Sequence, residues 1–86
     1  MSPSDLRFEV RRHLVSRPTV AEETATIQHH LARKGIEATT AEILDALTFL
    51  AGLERPQVAR HLNPLGGSTA AWQITTAGVL AHERLE

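Results

Sequence analysis

The chain of 86 residues contains no cysteine. It therefore has neither disulfides nor thiolate metal ligands to stabilise a small core, and hydrophobic packing has to do so. Aromatic residues are scarce as well, since Phe8, Phe49 and Trp72 are the complete set. This is too few for the stacking platform on which single-stranded nucleic acid is usually bound.

An excess of charge of one sign is also missing. The formal net charge is −1, so no overall positive field attracts the chain to a phosphate backbone. Any nucleic-acid surface would need an uneven distribution of charge. Long apolar runs are absent, and the N-terminus lacks the charged-then-apolar pattern of a signal peptide. We therefore expect a soluble, cytoplasmic protein that does not enter a membrane.

The composition that is present is that of a small globular domain. Hydrophobic residues make up 42% of the chain and charged residues 22%, which is the range of folded domains. A length of this order supports one core, so a single domain over residues 1–86 is expected. Leu85-Glu86 also has the form of a cloning scar and is left out of the functional interpretation.

The first helix is predicted from Ser2 to about Ser16. A hydroxyl cap and an early proline mark its start, and Arg17-Pro18 ends it because proline disfavours helical backbone in the residue before it. Its apolar residues fall on two sides, so it should be covered on two sides, by the domain and either by the last helix or by the partner in a homodimer formed through the first and last helices. These residues are Leu6, Val10 and Leu14 on one side and Phe8 and Val15 on the other.

Two further helices follow at short intervals. The second is predicted to begin at the capping-box pattern Thr19–Glu22 and to end at Gly35 in the left-handed conformation. On this prediction Glu22 and Glu23 lie in the first turn of the helix, where their carboxylates interact favourably with the positive end of the helix dipole. The third begins at a second capping box, Thr39–Glu42, and ends at Gly52. Two helices joined by a tight turn after a preceding helix form a helix-turn-helix.

A β-hairpin and a last helix complete the pattern. Residues 55–62 and 70–74 alternate like half-buried strands around a turn at residues 63–68, and Thr75 or Thr76 caps the last helix. The predicted fold is therefore α+β: a winged helix-turn-helix with a three-helix core, a two-stranded wing, an optional short strand near residues 19–20 and a C-terminal helix. The predicted inner side of the wing is Val58, Leu62, Trp72 and Ile74, packed on Ile43, Leu47 and Leu50.

Two segments carry a resemblance to a known family. LTFLAGL at residues 47–53 resembles the end of the recognition helix in winged-helix proteins, and AWQITTAG at residues 71–78 resembles the junction between the wing and the last helix in winged-helix transcription regulators. In length and wing size the chain is also similar to small winged-helix proteins of Mu-like phages and prophages. The resemblance implies DNA binding by a regulator or phage accessory factor, with the third helix in the major groove.

Two interpretations of the recognition surface stay open. For double-stranded DNA the candidates are at the start of the third helix and on the wing: Thr39, Thr40, Arg55, Gln57, Arg60 and His61. The outward face of the third helix has no lysine or arginine, which instead favours contact with a protein partner. The candidates for that contact are Glu42, Asp45, Thr48 and Phe49. Phe49 has a second interpretation, as a side chain packed under the wing near Trp72.

Other polar groups have simpler interpretations. The first helix is the most basic element, and its charges are interpreted as a solvated face. His29-His30 is not expected to bind a metal, because adjacent helical residues point about 100° apart and neither has a ligand partner at i+4. Gly66-Gly67 suits a hairpin turn rather than a phosphate loop. We therefore expect no enzyme activity, catalytic residue, metal or cofactor. The basic residues are Arg7, Arg11, Arg12, His13 and Arg17.

Overall fold

In a computed structural model of the chain, residues 1–62 and 70–85 are described. They form four helices and a three-stranded antiparallel sheet. The predicted turn at residues 63–68 lies outside the described residues. Within the described ranges, no helix is both long and apolar enough to cross a membrane. The elements are α1 (Pro3–Val15), β1 (Glu22–Glu23), α2 (Thr24–Arg33), α3 (Thr40–Ala51), β2 (Val58–Leu62), β3 (Ala70–Ile74) and α4 (Thr76–Glu83).

Three predicted helix ends are confirmed: the start of α1, the start of α3 and the end of α2. The Ser2 hydroxyl accepts from the Asp5 N–H at the start of α1. At the start of α3, Thr39 and Glu42 form the complete capping box, with each side chain bonded to the other residue's backbone. Gly35 ends α2 with φ at 81°, as predicted from the need for a left-handed residue there.

The predicted start of the second helix is wrong. Residues Glu22–Glu23 form β1, with Glu22 opposite Trp72 of β3, and α2 begins at Thr24 without a side-chain cap. The optional strand near residues 19–20 is therefore at 22–23, and these acids do not lie in a helical turn. Pairing with β3 satisfies the backbone groups that the local capping pattern assigned to a helix.

The sheet has the order β1-β3-β2 and packs on the helices, with β2 against α3 and β3 against α1 and α2. Three of the four side chains expected on its inner side are buried, namely Val58, Trp72 and Ile74. The fourth, Leu62, is 81% exposed, so that prediction is wrong. After Val58 the strand β2 extends beyond the core, and its last three residues lie exposed. The α3 ridge that the sheet covers is Ile43, Leu47 and Leu50, all buried.

Helix α1 is covered on two sides, as its apolar pattern predicted. Leu6, Val10 and Leu14 are buried in the common core. On another side Phe8 lies against His82 of α4, with 5.3 Å between ring centroids. The last helix thus provides the second cover, as one of the two predicted arrangements required.

Gly78 has a physical reason to lack a side chain. A Cβ there would overlap the carbonyl of Gln57 and lie 2.6 Å from Cδ1 of Ile74. The Thr75 hydroxyl accepts from the Gly78 N–H and donates to the Pro56 carbonyl at 2.6 Å. The segment from Thr75 to Gly78 therefore packs the start of α4 closely against the residues that precede β2.

Candidate recognition face on helix α3

Helix α3 has a buried side and an outward side, and the outward side is mixed in character. Leu44 and Phe49 are each 45% exposed. The helix contains no lysine or arginine. We name the outward side the recognition face and define it by Thr40, Glu42, Leu44, Asp45, Thr48 and Phe49, all exposed.

A groove of about 790 Å³ opens beside this face. It lies between the start of α2, the recognition face and the hairpin. Its apolar lining includes Ala25, Leu44, Ala51, Ala70 and Trp72. Among the described residues that line it, Arg60 is the one cation. The polar lining consists of Glu23, Thr24, Thr40, Thr48 and Arg60.

The start of α3 fixes a negative charge on the recognition face. The Thr39 backbone N–H donates to the Glu42 carboxylate at 3.0 Å. That backbone hydrogen bond, with a second interaction from the Thr39 side chain, lowers the pKa of Glu42 below its ordinary value. Glu42 therefore stays ionised at neutral pH, and the Thr39 side chain serves the helix end.

The structure brings only part of the predicted DNA-contact set together. Thr40 and Arg60 line the same groove, while Arg55 and His61 are exposed outside its lining. Gln57 is turned inward, since its Oε1 accepts from Nη1 of Arg11 at 2.9 Å. The Gln57 side chain therefore joins the hairpin to α1.

The packing predicted for Phe49 under the wing is wrong. The guanidinium carbon of Arg7 lies 3.6 Å from the centre of the Phe49 ring, so this ring contacts α1. Leu50 occupies the inward position of this helical turn and is buried. Residue 49 is about 100° away around the helix and faces out. An exposed ring bearing a cation is thus part of the recognition face.

The basic residues of α1 do not form the solvated face that was predicted. Arg11 and His13 are buried, and Arg7 is placed on Phe49. Arg12 remains exposed, with the Glu9 carboxylate 3.9 Å away. Most of this helix's charge therefore contacts other parts of the domain instead of forming one positive surface.

A partly buried polar cluster, which sequence reasoning missed, joins α1, β1 and α2. We name it the junction cluster and define it by His13, Arg17, Glu22 and His30. The His13 Nε2–H donates to Glu22 Oε2 at 2.6 Å, and Arg17 Nη1 donates to Glu22 Oε1 at 2.7 Å. The same Arg17 nitrogen lies 3.2 Å from His30 Nε2. The His13 and His30 rings stack with 5.0 Å between centroids.

The environment of this cluster shifts the pKa of two of its members, Glu22 and His30. Burial opposes ionisation of Glu22, but hydrogen bonds from His13 and Arg17 and nearby positive charge outweigh it, so its pKa is lowered. Partial burial lowers the pKa of His30; Glu22 opposes this change, and the charges of His13 and Arg17 add to it. The cluster therefore holds an ionised carboxylate and favours a neutral His30.

No protein-family model matches this chain, and comparison with curated proteins and with solved structures finds no match for it. No relative therefore assigns a ligand to the recognition face or to the junction cluster.

Proposed function

We propose that this chain is a winged helix-turn-helix domain that recognises a protein segment through the recognition face and its groove. The helix pair α2 and α3 and the antiparallel hairpin packed on α3 support this architecture. In it, α3 is the recognition helix and β2–β3 is the wing. The choice of a protein ligand depends on one observation: the residues on the outward side of α3 combine exposed apolar side chains with carboxylates and include no lysine or arginine, although the Arg7 guanidinium of α1 lies on Phe49.

This composition suits a protein better than a phosphate backbone. Glu42 and Asp45 would face phosphates across the major groove, where like charges repel over several ångströms. Exposed Leu44 and Phe49 gain nothing from contact with phosphate, but gain free energy when a partner covers them. Leu44 lines the groove and Phe49 lies about 140° away around the helix, so each offers an apolar contact at one edge of the recognition face, with Asp45 and Thr48 between them.

The chemistry of the groove defines the partner more closely. Its apolar lining, which includes Leu44, Ala51 and Trp72, takes large apolar side chains. Glu42 and Asp45 line a separate hollow on the α1 side of α3, so they favour lysine or arginine in a partner segment that extends from the groove across the outward side of the helix. We therefore infer a partner segment in which one or two large apolar residues adjoin basic residues. The similarity to small phage proteins fits an assembly or accessory factor.

Selection from a displayed peptide library tests this proposal. The immobilised domain should enrich peptides that combine a large apolar residue with adjacent lysine or arginine. Leu44→Glu should weaken binding of the enriched peptides by more than about tenfold, since a carboxylate in the apolar groove is left without its hydration. Leu80→Glu is the matched control, because Leu80 is a helix residue with 42% exposure on α4, outside the groove lining.

Two results would contradict the proposal that the groove binds a protein segment. Equal loss of peptide binding in Leu44→Glu and Leu80→Glu would show that the groove is not the binding site. Failure to enrich any basic-apolar class would remove the partner chemistry. Circular dichroism and thermal unfolding of both variants verify that each remains folded.

Double-stranded DNA is the second candidate, favoured by one observation. Exposed Arg60 lines the same groove as Thr40 and Thr48, which places a cation beside hydroxyls that can contact a backbone or a base edge. Random-sequence duplex should then shift at low salt, and Arg60→Ala should weaken that binding. The logarithm of affinity should fall by about 0.9 per log unit of salt for each phosphate contacted. Absence of binding at low salt removes this candidate.

A further inference from the structure

We propose that His13, Glu22 and His30 of the junction cluster form a binding site for a divalent transition-metal ion of the Zn²⁺ type. One ligand atom from each residue lies within 4.8 Å of the other two. His13 comes from α1, Glu22 from β1 and His30 from α2. Two imidazoles and a carboxylate are a donor set that Zn²⁺ accepts, with water in the fourth position.

One of the proposed ligands, His30, already has the protonation state that metal binding requires. Arg17 can only donate, so its contact with His30 Nε2 at 3.2 Å requires that nitrogen to be the unprotonated one. Its lone pair therefore points at the place where a cation would lie. Glu22 presents an ionised carboxylate there as well, because His13 and Arg17 both donate to it.

Arg17 fills the position that an ion would take. Its Nη1 contacts both Glu22 and His30, as a shared cation would. Yet the Arg17 side chain is 45% exposed, whereas that of Glu22 is 3% exposed. The guanidinium can therefore move into solvent while the buried ligands stay in place. Arg17 thus acts as the internal competitor of the metal.

Two rearrangements would accompany binding. Four-coordinate Zn²⁺ at bonds of about 2.0–2.2 Å places its ligands roughly 3.3 Å apart, so the His30 ring has to turn inward from its half-buried position. His13 has to present Nε2 without a proton: a neutral ring moves its single proton from Nε2 to Nδ1, whereas a doubly protonated ring releases the Nε2 proton to solvent and keeps the one on Nδ1. Nδ1 is buried, and no described residue bonds to it, so this step reduces the affinity of the site.

Metal titration of the full chain without a histidine tag tests the site. Zn²⁺ is followed by competition with a chromophoric chelator, and Co²⁺ by its visible d–d absorption. One ion should bind per chain. His30→Gln should weaken binding by more than about tenfold, since a ligand is lost. His29→Gln, on the adjacent exposed residue, should leave binding unchanged.

Arg17→Gln separates the proposal from adventitious binding to surface histidines. Removing the competing charge should tighten Zn²⁺ binding by about tenfold. Zinc should also shift the His13 and His30 ring nitrogens in long-range proton–nitrogen spectra, a readout that does not require any substitution. Unchanged affinity in both His30→Gln and Arg17→Gln, or unshifted His13 and His30 signals at saturating zinc, would overturn the site.

Discussion

The junction cluster and the recognition face reverse the usual distribution of side chains. In the junction cluster, a carboxylate and an imidazole are buried and joined to each other. On the recognition face, a leucine and a phenylalanine are nearly half exposed. The Glu22 carboxylate and the Nε2 of His13 are hydrogen-bonded within the domain, whereas the exposed apolar groups would gain most from a ligand. The junction cluster joins α1, β1 and α2, and the recognition face is where the proposed function places the protein ligand.

The two regions should respond differently to substitution. A buried charged group is stable only while its partners remain, so removing one member leaves the others desolvated and uncompensated. An exposed side chain loses little when it is replaced, because water already covers much of it. Stability measurements therefore distinguish the two regions without any knowledge of the ligand.

The largest effect is expected for Glu22→Ala. This substitution removes the acceptor of both the His13 and the Arg17 hydrogen bonds, and it should lower the free energy of unfolding by about 3–5 kcal/mol. Chemical denaturation at pH 7 measures the loss.

Glu37→Ala is the matched control for this change, since Glu37 is exposed in the turn after α2. It should change stability by less than about 0.5 kcal/mol. Similar small effects at both positions would mean that the junction cluster does not hold α1, β1 and α2 together.

The sequence predicted those parts of the fold that depend on neighbours in the chain. The capping box of α3, the left-handed Gly35 and the buried stripe of α1 all follow from residues within a few positions of one another. The alternation of the hairpin correctly placed Trp72 on the inner side. These signals are local, so a single sequence contains them in full.

The remaining features depend on contacts between distant residues. Residues 22–23 form a strand because β3 lies beside them, and β3 follows much later in the chain. The same packing gathers the junction cluster from three elements, and the spacing of His13 and Arg17 was its only local trace. Leu62 was misplaced because alternation does not reveal where a strand leaves the core.

A smaller effect is expected at the first turn of the recognition face. Thr39→Ala removes the hydroxyl that accepts from the Glu42 N–H at 3.1 Å, and should cost about 1 kcal/mol of unfolding free energy. Thr48→Ala is the control on the same helix, because its hydroxyl only bonds back to the Leu44 carbonyl, which adds little. Equal losses in the two variants would contradict the role of the capping box.

Acid should weaken the junction cluster in two steps. The pKa of His30 is lowered from 6.5 in the fold, so as the pH falls the unfolded chain binds this proton before the folded chain does. The stability that depends on a neutral His30 is therefore fully present above pH 6.5 and is lost as the pH falls below that value. The pKa of Glu22 is lowered from 4.5, so its contribution is full above pH 4.5 and is lost as the pH falls further.

Thermal unfolding from pH 8 to about pH 2 measures these two steps. His30→Gln should flatten the first step, while His29→Gln, at the exposed neighbouring position, should preserve it. If the first step persists in His30→Gln, another group causes it. The junction cluster would then make no contribution to the pH dependence of stability between pH 5 and pH 7.

The smallest effect is expected from paired serine substitutions on α3 and α4. Leu44 and Leu80 are 45% and 42% exposed, and both lie within helices, so the loss of helix propensity on replacement by serine is common to the two. Their unfolding free energies should therefore agree within about 0.5 kcal/mol. If Leu44→Ser costs over about 1 kcal/mol more than Leu80→Ser, Leu44 packs as a core residue. The groove would then not be open to a partner, and the contrast between the recognition face and the junction cluster would fail.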